Sequence, residues 1–297
     1  AMSVLRKRQP DVVVGVGGFA SGPVLALAAL CRYPTMLLEQ NALPGITNRF
    51  LAPIVRAAAV NFETALAYFP HTGFVAGNPV RPEFFPAQNE EANDRFNRPH
   101  DAARVLVFGG SQGAHAINMA VVEAAPGLAA AGIRVAITHQ TGERDLDLVR
   151  DAYRRAGLQA RVEAFIYQID REMKQADIVI CRAGATTLAE LAASGTPSIL
   201  VPLPTSADDH QRKNAAVFAA AGAAVVTAVA AAVQPRPLPS PTLTRTRRLK
   251  PARLTTKPIS SNFRSPMSAR AIPSPLMPRR SAVIWTCTWD YLRVKMS

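Results

Sequence analysis

The stretch "VLVFGGSQGA", residues 105–114, runs from apolar strand-formers through two glycines into Ser-Gln-Gly-Ala. A short apolar run bounded by glycine predicts a buried strand. The chain turns at Gly109-Gly110 and enters a helix near Gly113, leaving the first backbone N–H groups of that helix without intrahelical partners. Such amides, with the positive end of the helix dipole, form a ready site for a phosphate. The spacing departs from the dinucleotide fingerprint, and no Lys-Ser/Thr follows as a P-loop requires. The stretch therefore predicts a bound phosphate and leaves its carrier open.

The same pattern recurs along the first 227 residues. Strand-like runs lie at 11–18, 35–40, 57–62, 104–110, 134–142, 177–185 and 197–204, with Ala/Leu-rich helical segments at 22–31, 114–125, 145–156 and 186–193 between them. This alternation predicts an α/β fold of doubly wound parallel sheets. The Pro-rich "GNPVRPEFFP" (77–86) interrupts it and is the expected link between two such sheets.

The net charge of +13 is concentrated at one end. Residues 228–297 carry 13 Lys and Arg against one acid, Asp290, whereas residues 1–227 are balanced to +1. The globular part gives no reason to expect a nucleic-acid partner. No glycine follows Gly222, and 10 of the 24 prolines lie between Pro235 and Pro278. The segment reads as a disordered basic tail, either a natural one that touches anionic lipid or RNA, or the product of a frameshift. The uncharged run 215–233 is long enough for a membrane span. It is mostly alanine, however, and Gly222 reads better as a helix C-terminus before a short strand, "AAVV". Cys31, Cys181 and Cys287 form neither a disulfide framework nor a metal-ligand spacing, and no signal peptide is expected.

Ligands of parallel sheets bind at the carboxyl ends of strands. Three such ends carry small-residue turns: "GVGGFASGP" (15–23), "GGSQGA" (109–114) and "CRAGATTLAE" (181–190). Any one alone is equally a tight βα turn, but two in one half make a diphosphate plausible. Ala185, Thr186 and Thr187 fall in a first helical turn, and Glu190 in the next turn on roughly the same face, where a carboxylate can accept two ribose hydroxyls. Alone, Glu190 reads as a solvated helix acid. Asp208 and Asp209 in "PLPTSADDHQRKNA" (202–215) suit a helix N-cap better than a metal site, while His210 and Gln211 can donate to sugar hydroxyls. The remaining histidines share no spacing, so no metal is expected.

Seven motifs occur in order: "GGF-SGP" (17–23), "EQN" (39–41), "GNPVR" (77–81), "GGSQGA" (109–114), "HQTG" (139–142), "CRAGA" (181–185) and "ADDHQ--NA" (207–215). Over residues 11 to about 227 they resemble the bacterial N-acetylglucosaminyltransferases that convert lipid I to lipid II in peptidoglycan synthesis. The resemblance implies a GT-B fold, two Rossmann-like sheets facing a cleft, with the first sheet incomplete. It divides the chain into an acceptor- and membrane-side domain (1–80), a linker (81–100), a UDP-sugar domain (101–227) and the tail (228–297). It further implies an inverting transferase using UDP-GlcNAc and an undecaprenyl-linked muramyl-pentapeptide, without cofactor or metal, peripheral on the cytoplasmic face of the inner membrane.

On this resemblance Gly110, Ser111, Gln112 and Gly113 hold the diphosphate and Arg81 faces it. The backbone of Ile166 holds the uracil, Ala185, Thr186 and Thr187 line the nucleotide, Glu190 holds the ribose, and His210 and Gln211 meet the GlcNAc. Gly17, Gly18, Phe19, Glu39, Gln40 and Asn41 lie on the acceptor side. Phe50, Leu51 and Ile54, with Arg49 and Arg56, are the expected membrane contact, equally readable as an ordinary core-facing helix. Three departures stand out. The family's first strand and its "GGTGGH"-like loop, whose His is the candidate catalytic group, fall before residue 1. Leu38 replaces a His before "EQN". The basic tail stands where amphipathic helices belong. These imply impaired transfer and exposed apolar sheet edges. A non-catalytic UDP-sugar-binding fragment, another GT-B glycolipid glycosyltransferase, a UDP-GlcNAc epimerase and a basic-tail nucleic-acid binder are the alternative readings.

Overall fold

The computed structural model describes residues 1–86 and 102–228 and the backbone of residues 283–285. The first half contains α1 (Met2–Arg8), β1 (Val13–Gly15), α2 (Ser21–Leu30), β2 (Thr35–Glu39), α3 (Ile46–Leu51), β3 (Ala57–Val60) and β4 (Gly73–Val75). The strands are parallel, in order β1-β2-β3-β4, with Leu37 opposite Ala58 and Ala59 opposite Phe74. Leu5, Val13, Leu25, Leu37, Ala58, Val60 and Phe69 form their core.

The second half contains β5 (Ala103–Phe108), α4 (His115–Ala130), β6 (Val135–Gln140), α5 (Leu146–Arg155), β7 (Gln159–Glu163), α6 (Ile169–Gln175), β8 (Ile178–Cys181), α7 (Ala185–Ser194), β9 (Ser198–Leu200), α8 (His210–Ala220) and β10 (Ala224–Val226). Its parallel order is β10-β9-β8-β5-β6-β7. From β5 the chain winds outward through β6 and β7, then returns to the other side of β5 for β8. The carboxyl ends of β5 and β8 therefore adjoin where strand order reverses, the point at which such sheets bind ligands. The apolar runs of β5 and β8 suit central strands covered on both faces. Within the 215–233 run, α8 ends before Gly222 (φ 73) and β10 follows, as the glycine predicted. Among the described residues no helix is long and apolar enough to cross a membrane.

One expectation needs correction. Within the expected tail, β11 (Val283–Trp285) pairs in parallel with β1, Val14 opposite Ile284. That pairing means β1 is not an exposed edge. An unpaired strand edge is a template for pairing, and Val-Ile-Trp is a run of strong strand-formers. The remainder of the expected tail and most of the linker, residues 229–282, 286–297 and 87–101, lie outside the described residues.

Candidate functional site

The loop after β5 leads into α4, which starts at His115 with Ala114 extended before it (φ −140, ψ 96), slightly later than the sequence predicted. Gly110 and Gly113 have φ of 93 and 75, a region that L side chains rarely adopt. The loop lies across the one that follows β6. A Cβ on Gly113 would overlap the Thr141 carbonyl oxygen, and a Cβ on Gly142 (φ 75) would overlap that of Gln112. Only glycine at both places lets the two backbones touch. Gly110, Ser111 and Gln112 are exposed at the sheet end.

A buried polar network anchors this pair of loops. Asn118 donates from Nδ2 to the Thr141 carbonyl (2.9 Å) and to Asp145 (2.8 Å). Its Oδ1 lies 3.0 Å from His139 Nε2, and His139 Nδ1 lies 2.9 Å from the Tyr153 hydroxyl. Since an amide oxygen only accepts, Nε2 carries the imidazole proton and Tyr153 donates to Nδ1. Burial lowers the His139 pKa to about 4 and raises that of Tyr153, which fixes the neutral imidazole. Gln140 joins two expected subsites: its Nε2 donates to the Gly110 carbonyl (2.6 Å), and its Oε1 accepts from the Ile166 N–H (3.2 Å). The Ile166 amide is thus engaged by Gln140.

Across the switch point, α7 begins at Ala185 after Gly184, and its first intrahelical bond runs from the Leu188 N–H to the Gly184 carbonyl (2.9 Å). The amides of Ala185, Thr186 and Thr187 precede that bond and have no intrahelical partner. Leu188 and Leu191 anchor the helix underside in the core; each contributes about 1.5–3 kcal/mol by burial. Glu190, one turn on, is pushed up to about 6 by burial, against the pull of the Arg81 charge. Arg81 therefore acts on the carboxyl expected at the ribose; its guanidinium carbon lies 5.0 Å from the Phe84 ring centroid.

After β9, Asp208 and Asp209 both have positive φ (51 and 54). Asp209 occupies the N-cap position of α8, as expected, without a side-chain capping hydrogen bond; Asp208 pairs with Arg49 (2.8 Å) and Asp209 with Arg212 (3.4 Å). His210 Nδ1 lies 2.7 Å from the Ala207 carbonyl, so this nitrogen donates there and Nε2 is left for another partner. Gln211 accepts from the Leu203 N–H at 3.0 Å, leaving its amide protons to donate.

In the first half, Gly17 and Gly18 have φ of 89 and 79, and Phe19 beside them is 91% exposed. Glu39, expected toward an acceptor, is buried and surrounded by donors: the amides of Asn41 (2.9 Å) and Gly45 (3.1 Å), and Asn48 Nδ2 (2.7 Å). Gln40 gives its carbonyl to Asn61 at 3.0 Å. Of the expected membrane group, Phe50 is 75% and Ile54 48% exposed, whereas Leu51 belongs to the core and Arg49 to the pair with Asp208. Alternation along a helix explains this split, because Phe50 and Leu51 are neighbours and face different ways.

The sequence matches the Glycosyltransferase family 28 C-terminal domain over residues 104–256 and the family's N-terminal domain over residues 1–60. A relative from Anaeromyxobacter dehalogenans (strain 2CP-C), named UDP-N-acetylglucosamine–N-acetylmuramyl-(pentapeptide) pyrophosphoryl-undecaprenol N-acetylglucosamine transferase, is 49% identical over 227 residues. The match covers 75% of this chain and 57% of the relative. A protein of the same name from Geobacter sulfurreducens is 46% identical, covering 75% of this chain and 61% of its own length. The chain thus spans about three-fifths of the curated relatives it matches. Among solved structures, Acinetobacter baumannii MurG superposes with a TM-score of 0.65 at 30% identity, covering 77% of this chain and 63% of that one. The GT-B arrangement expected from the sequence holds, and the chain belongs to glycosyltransferase family 28.

Proposed function

We propose that the chain binds UDP-GlcNAc at the switch point of its second half and that this site serves transfer of GlcNAc to the muramyl 4-hydroxyl of an undecaprenyl-linked muramyl-pentapeptide. The carrying observation is the convergence of two glycine-framed turns at adjoining strand ends, with the free amides of α7 on one side and the glycine loop before α4 on the other. Together they suit a diphosphate. Gly110, Ser111, Gln112 and Gly113 would hold it, with Arg81 adding charge; Ala185, Thr186 and Thr187 would line the nucleotide, and Glu190 would take the ribose hydroxyls. With its N–H engaged, Ile166 would meet the base through its carbonyl. His210 and Gln211 would contact the sugar.

The bond from the sugar C1 to the diphosphate breaks as the acceptor oxygen bonds to C1 from the opposite face, with loss of the hydroxyl proton and inversion. The helix N-termini and Arg81 stabilise the charge that builds on the departing UDP, where preorganised dipoles are most effective. Gly17, Gly18, Phe19, Glu39, Gln40 and Asn41 form or support the acceptor side. Exposed Phe19, Phe50 and Ile54, with Arg56, suit peripheral contact with an anionic membrane surface on the cytoplasmic side. The names of the relatives support this choice of donor and acceptor. The test is UDP release from UDP-GlcNAc with and without the lipid-linked acceptor: acceptor-dependent release supports the reading, and binding without release reduces the chain to a UDP-sugar-binding fragment.

A further inference from the structure

We propose that Asn214 is a positioning residue that locks the spacing of the two halves across the cleft, with Asn41 as its counterpart. Asn214 is the fifth residue of α8 and is fully buried. Its Oδ1 accepts from the Ala42 N–H at 2.8 Å, and its Nδ2 donates to Asn41 Oδ1 (3.1 Å) and to the Ala183 carbonyl (3.3 Å). Two of these bonds reach the first half, and the third holds the turn that opens α7. Asn41 is itself fixed by Glu39, whose Oε1 accepts from its N–H (2.9 Å) and from its Nδ2 (3.4 Å). The buried carboxylate of the "EQN" motif thus orients the residue that meets Asn214.

The surrounding contact is apolar: Ala42 and Phe62 of the first half share one cluster with Phe84, Leu106, Leu188 and Ala215. Apolar burial is non-directional and permits sliding; the amide bonds fix a register. Both amide protons and the amide oxygen are used, so aspartate loses both donations and leucine all three bonds. The rim pair Arg49–Asp208 also spans the halves, but an exposed ion pair contributes little.

The consequence for transfer rests on the function proposed above, with donor on one half and acceptor on the other. There the lock sets the distance from C1 to the attacking oxygen, and a misplacement of ~1 Å costs on the order of a hundredfold in rate.

The lock is tested by a distance measurement that needs no turnover. Spin labels are placed on native Cys31, exposed at the end of α2, and on Arg150→Cys of α5, in a Cys287→Ser background; Cys181 is buried. Pulsed electron resonance should give one narrow distance distribution in the parent and a broadened or shifted one in Asn214→Ala and Asn41→Ala, with UDP affinity within about threefold of the parent in Asn41→Ala, which keeps the Asn214 bond to the Ala183 carbonyl. An unchanged distribution in Asn214→Ala overturns the proposal. Should that variant lose its cooperative melt, Asn41→Ala decides, since it keeps the bonds of Asn214 to Ala42 and Ala183. Broadening in variants of a parent that binds no UDP supports the lock while refuting the donor reading.

Discussion

Substituting Gly113 with alanine tests the crossing of the two loops. At φ 75 an L side chain is strained by about 1–2 kcal/mol, and the added Cβ overlaps the Thr141 carbonyl oxygen, which belongs to backbone that Asn118 holds. Gly110→Ala is the control: its φ of 93 imposes comparable strain, but nothing lies within 4 Å of the added carbon. If UDP binding requires the native loop, it must restore that conformation, so strain alone reduces affinity by about 5–30-fold. Gly113→Ala adds displacement of the 140–143 loop and should lose clearly more. Gly142→Ala fails at the same crossing from the other side, through Gln112. The Gly113→Ala/Gly142→Ala double variant should therefore lose less than the two single losses combined, because one substitution already separates the loops. Calorimetric titration with UDP reads all four proteins, and thermal melts confirm that each folds. Equal affinities for Gly110→Ala and Gly113→Ala, or additive losses in the double variant, would refute the crossing as a determinant of the site.

Other perturbations give distinct signatures. Glu190 is raised to about 6 from the ordinary carboxyl value of 4.5, so its contribution to stability is full below 4.5 and is lost as pH rises through 6. If the ionised form accepts ribose hydroxyls, UDP affinity should rise from pH 5 to 7 and become flat in Glu190→Gln, as titration across that range would reveal. His139 has its pKa depressed to about 4, so its contribution is present above 6.5 and lost as pH falls toward 4. His139→Leu leaves Asn118 Oδ1 and the Tyr153 hydroxyl unpaired, at about 1–3 kcal/mol each, which denaturant unfolding at pH 7.5 measures. Phe50→Glu should weaken cosedimentation with anionic vesicles while leaving UDP affinity unchanged; undiminished vesicle binding would remove this face from the membrane account.

The central strands were legible because β5, β6 and β8 are apolar runs ended by small-residue turns. Edge strands β4 and β7 were not: Gly-Phe-Val is short, and Gln-Ala-Arg-Val-Glu carries the polar residues an edge tolerates. Strand β11 escaped notice because its pairing with β1 is set by an open edge more than 250 residues away, not by a local pattern. The glycine turns were legible through composition alone. His139, Gln140 and Asn214 fall inside motifs visible in the sequence, yet their roles depend on partners distant along the chain: Gln140 acts on Gly110 and Ile166, and Asn214 on Asn41 and Ala42. For Glu39 the motif gave a place on the acceptor side, while the four donor groups that surround its carboxyl depend on the fold of the 41–48 segment.

The most direct measurement is a calorimetric titration of the full chain with UDP-GlcNAc, against UDP-glucose, ADP-glucose and NAD. The account predicts one site per chain, tighter for UDP-GlcNAc than for the others and weakened by Glu190→Gln at pH 7. A cooperatively folded chain that binds none of them, or prefers ADP-glucose or NAD, would contradict it.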